Sequence, residues 1–213
     1  MVDNFTTAHK FTALWEGGLT DHPADKGQIT KYGTSLVFLR GLAANPANHR
    51  RLASMGIRLP VTRQTIIDLT ETQAAGLFRW VFWDGLKLDL IPLRPAVVLY
   101  DAAVNSGPAQ SVKLAQRGYN RCVTYGQKLA VDGVMGPATQ AAMRMADTDK
   151  ALAAMLDERE RFFHSIVANN PIQSAFLRGW LNRLNDLRRY VRNLPQGGHA
   201  WCACTVTTLG SSL

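Results

Sequence analysis

The amino-acid sequence predicts a mainly α-helical protein, and three observations support that prediction. Apolar residues recur at intervals of three and four through most of the chain, which is the spacing of one face of a helix. Alternating patterns typical of strands are scarce, and no repeat of solenoid length is visible. Because 46% of the 213 residues are hydrophobic and 19% are charged, the chain can form a hydrophobic core that needs no disulfide bonds to be stable.

The N-terminal elements follow from apolar spacing and from the glycines that interrupt it. Helical spacing starts at Phe5 and stops at Gly17-Gly18, since a glycine pair ends a helix in the left-handed conformation. Residues 19–32 are rich in short polar side chains and favour a loop or a small hairpin. A second helix is expected to begin over Ser35–Arg40, and residues 44–60 are expected to be irregular.

The remaining elements are predicted to be helices. Thr70 and Gln73 form a capping box, which starts a helix that we expect to end near Asp84-Gly85. Pro92 and Pro95 precede the next helix, because proline suits a first helical turn. Further helices are predicted over residues 96–104, 109–122 and 141–145, and two long helices, one lined by Leu152 to Ile166 and one by Phe176 to Leu187, close the fold.

The chain carries a formal net charge of +8 with a pI near 9.8, which indicates an anionic partner. Residues 173–195 form a basic helix, with five arginines against the single acid Asp186. This helix either buries one face and exposes a solvated basic face, or adsorbs the protein to an anionic wall or outer-membrane surface. No zinc finger, phosphate loop or reading helix accompanies the arginines, so we expect no nucleic-acid partner.

Cysteine and histidine patterns argue against a metal centre and a cysteine nucleophile. None of the five histidines shows the spacing of zinc ligands, and Cys202 and Cys204 lie in a tail without companion ligands. Cys122 falls in an apolar helix and is expected in the core. We therefore expect no metal and no cofactor. The sequence starts without a secretion leader and lacks an apolar stretch of bilayer length, which predicts synthesis in the cytoplasm.

Glu16 is the candidate general acid. Glycosidic hydrolysis needs a protonated carboxyl near the leaving oxygen and a second group that stabilises the sugar cation or directs water. Glu16 ends the first helix beside Leu14 and Trp15, a partly dry setting that raises the pKa of a carboxyl group. Asp25, nine positions later in a polar loop, is expected to stay ionised. The alternative is that Glu16 is an ordinary solvated residue at a helix end.

Three runs around this glutamate resemble the motif of glycoside hydrolase family 108, N-acetylmuramidases found in phage endolysins and bacterial wall-active proteins: Trp15–Leu19, Pro23–Gly27 and Thr30–Gly33. The resemblance implies a lysozyme-like fold and assigns the catalytic acid to Glu16. The same stretch is similar to phage lysozymes in which an aspartate follows the glutamate by nine positions and a threonine follows six later. That similarity implies catalytic roles for Asp25 and for Thr30, which stands one position short.

Two later segments resemble the part of that family that borders the cleft. Asp101 corresponds to an aspartate there, and residues 105–107 correspond to an Asn-x-Gly turn, so Tyr32, Asp101 and Asn105 are expected to line a glycan groove. Asn105 is equally suited to cap its helix. For Trp80 and Trp83, core packing is favoured over sugar stacking.

The C-terminal half resembles a peptidoglycan-binding region. Residues 131–139 resemble the turn of small helical peptidoglycan-binding modules, and residues 176–184 resemble the closing helix of the family. These similarities imply a catalytic region over residues 1–95, a helical binding region packed against it over residues 96–194, and a flexible tail over residues 195–213.

These expectations combine into one functional prediction with one alternative. The chain is expected to be a monomeric phage or prophage endolysin that hydrolyses the β-1,4 bond between N-acetylmuramic acid and N-acetylglucosamine. It binds peptidoglycan glycan strands, and it needs another protein, such as a holin pore, to reach the wall. The alternative is a non-catalytic wall-binding or regulatory protein on the same scaffold, with an occluded cleft.

Overall fold

The computed structural model describes residues 3–21, 29–125 and 127–197, with the backbone alone at positions 20 and 21. Within these ranges the chain forms ten α-helices and one small sheet, so the prediction of a mainly α, lysozyme-like fold is confirmed. The helices are α1 (Asn4–Glu16), α2 (Leu36–Ala43), α3 (His49–Ser54), α4 (Arg63–Ile67), α5 (Glu71–Phe78), α6 (Leu93–Ser106), α7 (Pro108–Cys122), α8 (Pro137–Met145), α9 (Asp149–Asn169) and α10 (Ser174–Arg192).

The small sheet follows α1 and is fully antiparallel. Its three strands are β1 (Thr20–Asp21), β2 (Ile29–Lys31) and β3 (Thr34–Ser35), in that spatial order. Thr20 pairs with Thr30, and Lys31 pairs with Thr34 across a two-residue turn. A hairpin therefore forms where the sequence favours either a loop or a hairpin.

Side-chain caps fix the start of α5 as the sequence predicts. The Gln73 backbone N–H donates to Thr70 Oγ1 at 3.2 Å, and the Thr70 backbone N–H donates to Gln73 Oε1 at 2.9 Å. After Phe78 the chain continues as a π-helical turn over Arg79–Asp84 and ends at Gly85. The predicted boundary near Asp84-Gly85 is confirmed.

Residues 44–60 differ from their prediction as an irregular segment. They form a 3-10 turn over Pro46–Asn48 followed by α3, and Leu52 of α3 is completely buried. The polar residues that indicate a loop act here as caps: Asn45 Oδ1 accepts from the Ala47 backbone N–H at 3.1 Å, and Asn48 Nδ2 donates to the Leu42 carbonyl at 2.9 Å. Asparagine favours such local bonds in turns and at helix starts alike.

Two hydrophobic clusters divide the fold into lobes. The core of the small lobe is formed by β2, α2, α3, α4 and α5. The core of the large lobe is formed by α1 and by α6 to α10, together with the segment from Phe78 to Ile91. Helix α6 is its centre, because every residue from Arg94 to Ala103 is buried. Phe176 is the exception to the predicted lining of α10, since 56% of it is exposed.

The large-lobe core crosses the predicted boundary between residues 95 and 96. Phe11 of α1 and Leu184 of α10 belong to the same buried cluster. The division into a catalytic and a binding region stays a prediction, but the two regions share one core. The start of the predicted tail is bonded to the fold, since the Gly197 backbone N–H donates to Asp147 Oδ2 at 2.7 Å. Residues 198–213, including Cys202 and Cys204, lie outside the described residues.

Gly118→Ala is expected to lower the free energy of unfolding by about 1–3 kcal/mol, the usual cost of overpacking a core. A Cβ at Gly118 would lie 2.5 Å from Met155 Cα and 2.6 Å from Met155 N, so α7 and α9 must separate. Urea denaturation measures the change. The control is Gly179→Ala in α10, where a Cβ meets nothing within 4 Å and alanine adds roughly 0.5–1 kcal/mol. Equal stability of the two variants contradicts the close α7–α9 contact.

Candidate active site

Glu16 lies where the two lobes meet. It is the last residue of α1, which stops because Gly17 adopts a φ of 66°. The Glu16 side chain is 20% exposed and borders a cavity of about 60 Å³. The other lining residues are His9, Ala13 and Gly17 from α1, Tyr32 from the β2–β3 turn, and Glu71 and Ala74 from α5.

The β2–β3 turn presses directly on the Glu16 side chain. Its two residues, Tyr32 and Gly33, have φ values of 50° and 73°, which is the pattern of a tight two-residue hairpin. A Cβ at Gly33 would lie 2.9 Å from both Cβ and Oε2 of Glu16. Only glycine fits this contact. The left-handed backbone of Tyr32 is strained for a bulky residue, and such strain is concentrated at functional sites.

A buried ionic network lies behind Glu16. Asp101 of α6 is fully buried. It accepts hydrogen bonds from three side chains: from Thr12 Oγ1 at 3.0 Å, from Arg159 Nη1 at 2.6 Å and from Arg183 Nη2 at 2.7 Å. Arg183 also donates from Nη1 to Glu16 Oε1 at 2.9 Å. One guanidinium therefore bridges the candidate acid and the buried aspartate.

The pKa values of the two carboxyl groups in this network are shifted in opposite directions. Burial raises the pKa of Glu16 above its ordinary value of 4.5, although the Arg183 charge and hydrogen bond oppose that rise. Burial acts in the same sense on Asp101, but the charges and hydrogen bonds of Arg159 and Arg183 outweigh it, so the pKa of Asp101 is lowered. Two carboxyls with separated pKa values suit an acid and a permanently ionised partner.

His9, which lines the cavity, and Tyr100, which is buried behind it, are two further titratable groups. His9 Nδ1 lies 2.7 Å from the Tyr100 hydroxyl, and burial lowers the pKa of His9. Burial, followed by the charges of Asp101 and Glu16, raises the pKa of Tyr100. Near neutral pH, therefore, neither side chain adds a charge beside Glu16.

The structure brings together only part of the predicted site. Tyr32 lines the same cavity as Glu16. Thr30 lies in β2 and is partly buried, but it is not among the described residues of the cavity wall. Asn105 is exposed near the end of α6, where its Oδ1 accepts from the Ser106 hydroxyl at 3.1 Å. Asp25 lies outside the described residues.

The expectation that Asp101 lines a glycan groove is corrected. Its side chain has no exposed surface, so a polymer in solvent cannot touch it. Its oxygens are occupied by Thr12, Arg159 and Arg183. Asp101 instead holds the arginine that contacts Glu16.

Sequence reasoning missed the two buried arginines, although the helical period carries a signal for them. Arg183 stands four positions before Leu187 on the buried face of α10, and Arg159 stands four before Phe163 on α9. A charged residue inside an apolar stripe is costly to bury unless it has a partner. Glu71 and His9 carry no comparable signal, because their spacing fits an ordinary surface helix.

Trp80 and Trp83 are not among the residues that line this cavity. Trp83 is completely buried in the large-lobe core and donates from Nε1 to Asp89 Oδ1 at 2.9 Å, as core packing predicts. Trp80 is partly buried, and the Arg51 guanidinium lies 4.9 Å from its ring centre. Across the described ranges there is no group of three potential metal ligands, and no helix there is long and apolar enough to span a bilayer.

Comparisons with known proteins agree with the resemblance found in the sequence. Residues 9–107 match the family model for glycosyl hydrolase 108, and residues 110–185 match a family described as a predicted peptidoglycan domain. Glu16 and Asp101 fall in the first match, whereas Arg159 and Arg183 fall in the second. No curated protein matches the chain significantly.

A solved structure shares the fold over most of its length. The structure of Brucella abortus SagA superposes with a TM-score of 0.68 and 26% sequence identity, covering 88% of this chain and 93% of that one. The similarity spans both lobes and both matched regions.

Glu16→Gln is expected to alter stability in a pH-dependent way. Because the folded state raises the pKa of Glu16, ionisation costs free energy that is absent in the unfolded chain. Wild type and variant should therefore differ least below pH 4.5, and wild type should lose stability relative to the variant as pH rises through the raised pKa. Urea unfolding across pH measures this, with Glu160→Gln, at a partly exposed position on α9, as control. A difference independent of pH contradicts the destabilised anion.

Proposed function

Since this chain belongs to the glycosyl hydrolase 108 family through residues 9–107 and carries a peptidoglycan-binding region over residues 110–185, we propose that it is an N-acetylmuramidase. In this proposal it hydrolyses the β-1,4 bond between N-acetylmuramic acid and N-acetylglucosamine. The observation that carries the proposal is the half-buried Glu16 carboxyl beside the cavity between the lobes, with a raised pKa.

Glu16 acts as the general acid in this proposal. Its Oε1 accepts the hydrogen bond from Arg183, so the transferable proton belongs on Oε2. From there it passes to the glycosidic oxygen while positive charge develops on the departing sugar ring. The raised pKa keeps a larger fraction of the carboxyl protonated at a given pH than a solvated glutamate retains.

Two carboxylates compete for the second role. Asp25 with Thr30 is the proposed pair that stabilises the sugar cation or directs water. Glu71 is the structural alternative, because it lines the same cavity as Glu16 and begins α5, where the helix dipole favours an anion. The separation of the two carboxyls decides the stereochemical course, with about 5 Å for retention and more for inversion.

Glu16→Gln is expected to slow the clearing of purified peptidoglycan by roughly 100-fold or more, the usual contribution of a general acid. Glu160→Gln, which changes a partly exposed carboxyl on α9 that pairs with Arg188, is expected to clear normally. Mass analysis of the released fragments should show N-acetylmuramic acid at reducing ends. Reducing N-acetylglucosamine, anhydro ends or free stem peptides contradict the muramidase.

Equal clearing by wild type and Glu16→Gln would remove the acid role, and absence of clearing by wild type would favour the non-catalytic alternative. The variants Asp25→Asn and Glu71→Gln then separate the two candidates for the second group. The one with the larger loss of kcat is the partner of Glu16.

The arginines of α10, expected to form an adsorption surface, are mostly engaged in ion pairs within the protein. On α10, Arg183 is buried in the active-site network, Arg188 pairs with Asp157 and Glu160, and Arg189 pairs with Asp186. Three of the five arginines in this helix are therefore neutralised. This favours the interpretation of α10 as an amphipathic helix with one buried face.

The small lobe carries a second group of basic residues. Residues 29–70 carry six lysines and arginines against the single acid Asp68, although one of them, Arg51, pairs with Asp84 at 3.0 Å. The six are Lys31, Arg40, Arg50, Arg51, Arg58 and Arg63. We therefore propose that the small lobe, which forms one wall of the cavity, meets the anionic wall surface.

Arg50→Gln with Arg58→Gln is expected to weaken binding to whole walls, measured by sedimentation at low salt, roughly 30-fold, at about 1 kcal/mol for each of the two charges near an anionic surface. The salt dependence of clearing should flatten in parallel. The control is Arg178→Gln with Arg192→Gln on α10, and hydrolysis of soluble glycan fragments should not change in either variant. A larger effect of the α10 pair restores the basic helix as the adsorbing surface.

The biological role is part of the same proposal. We propose a monomeric endolysin of phage or prophage origin that is made in the bacterial cytoplasm and acts on the wall after release. The support is the resemblance of residues 15–33 to muramidases of phage endolysins. Expression in the cytoplasm with and without a pore-forming membrane protein tests it, since lysis should require the pore.

A further inference from the structure

The hydrogen-bond donor to the candidate acid comes from the far end of the chain. Glu16 ends α1, whereas Arg183 lies in α10, 167 positions later, inside the region that matches a peptidoglycan domain. The Nη1–Oε1 distance is 2.9 Å. The region that matches a peptidoglycan domain therefore supplies a cation in direct contact with the carboxyl proposed to do the chemistry.

Arg183 is held so that it cannot move freely. Its Nε donates to Asp101 Oδ1 at 3.1 Å and its Nη2 donates to the same oxygen at 2.7 Å, which leaves Nη1 for Glu16. The side chain is 9% exposed, so it is not a surface group awaiting substrate. The planar fork of an arginine suits this arrangement, and an ammonium group cannot reproduce it.

Arg159 binds the second oxygen of the Asp101 carboxylate. It donates from Nη1 to Asp101 Oδ2 at 2.6 Å, and its guanidinium lies 5.4 Å from the centre of the Phe163 ring. Its Nε and Nη2 are buried and have no hydrogen-bond partner among the described residues. A buried guanidinium with unbonded N–H groups contributes little to stability, because well-packed apolar residues in its place stabilise a core equally well. The cost is consistent with a functional constraint.

We propose that Arg183 is a positioning residue for the Glu16 acid, oriented by Asp101 and Arg159, so that the region matching a peptidoglycan domain completes the hydrolytic site. The inference rests on the proposed role of Glu16. Arg183 fixes the rotamer of the carboxyl by holding Oε1, and its charge limits how strongly the pocket favours the protonated form. Without it, the acid is misdirected and releases its proton less readily.

Several elements of both lobes place titratable groups near Glu16. The described titratable groups, besides Arg183, are His9 of α1, Tyr32 of the turn, Glu71 of α5, Tyr100 and Asp101 of α6, and Arg159 of α9. His9 and Tyr100 stay neutral near pH 7, and Asp101 is matched by the two arginines. Arg183 is the cation in direct contact with the acid.

The test compares Arg183→Gln and Arg183→Lys with Arg188→Gln, which removes a different α9–α10 ion pair. Three quantities are measured on the full chain: the Glu16 pKa by carbon NMR of labelled carboxyls, assigned with Glu16→Gln; kcat and KM against pH on soluble glycan fragments; and thermal unfolding. Arg183→Gln should raise the Glu16 pKa and move the alkaline limb of kcat upward, because removing a nearby cation favours the protonated carboxyl.

At the wild-type optimum, kcat of Arg183→Gln should fall roughly 10- to 100-fold while KM changes little, since the arginine orients the acid and does not touch substrate. Arg183→Lys keeps the charge and should keep the wild-type Glu16 pKa, yet lose several-fold in kcat because the fork is lost. Arg188→Gln should match wild type in all but stability.

A folded Arg183→Gln with the Glu16 pKa and kcat of Arg188→Gln overturns the proposal. If Arg183→Gln does not fold, Arg183→Lys decides, and an unchanged kcat in that variant overturns it equally. The NMR titration needs no catalysis, so it separates this inference from the muramidase proposal. A Glu16 pKa that responds to Arg183 in a protein without hydrolase activity supports the contact while ending the enzymatic role.

Discussion

The structure depends on one guanidinium that joins two carboxyl groups. Arg183 meets the partly exposed Glu16 with one nitrogen and the fully buried Asp101 with the other two, so α1, α6 and α10 must all be in place at once. Arg159 adds α9 to the same network. Buried charges tolerate little error, because each unmatched ion costs several kcal/mol. The network therefore fixes the relative positions of four helices at the point where the candidate acid emerges.

The position of the acid between two lobes gives it its chemical character. The large-lobe network holds Glu16 from one side, and the tight Tyr32-Gly33 turn of the small lobe presses on it from the other. This partial removal from water raises the pKa of Glu16, while the arginine limits the rise. Burial without a nearby cation raises the pKa of a carboxyl so far that it donates its proton poorly. A nearby cation without burial lowers the pKa so far that the carboxyl loses its proton below neutral pH.

The matched family regions and the physical lobes divide the chain differently. The glycosyl hydrolase 108 match ends at residue 107, but its α1 and α6 are buried against α7 to α10 from the peptidoglycan-domain match. The small lobe is a separate cluster within the first match and carries six lysines and arginines over residues 29–70. In the proposed function, recognition of an anionic wall and positioning of the acid fall to opposite lobes, with the cavity between them.

The sequence by itself determined the features that depend on neighbours along the chain. The helix that stops at Gly17, the Thr70–Gln73 capping box and the helical period of α6 to α10 are local, so reading a few residues at a time predicts them. Reading locally failed over residues 44–60, because asparagine caps and asparagine loops look alike before packing selects one. The tertiary structure alone decided that Asp101 is buried and that Arg183 reaches Glu16 across 167 positions. Such contacts depend on how several helices pack together, and a period of 3.6 residues records only which face is apolar, not what that face meets.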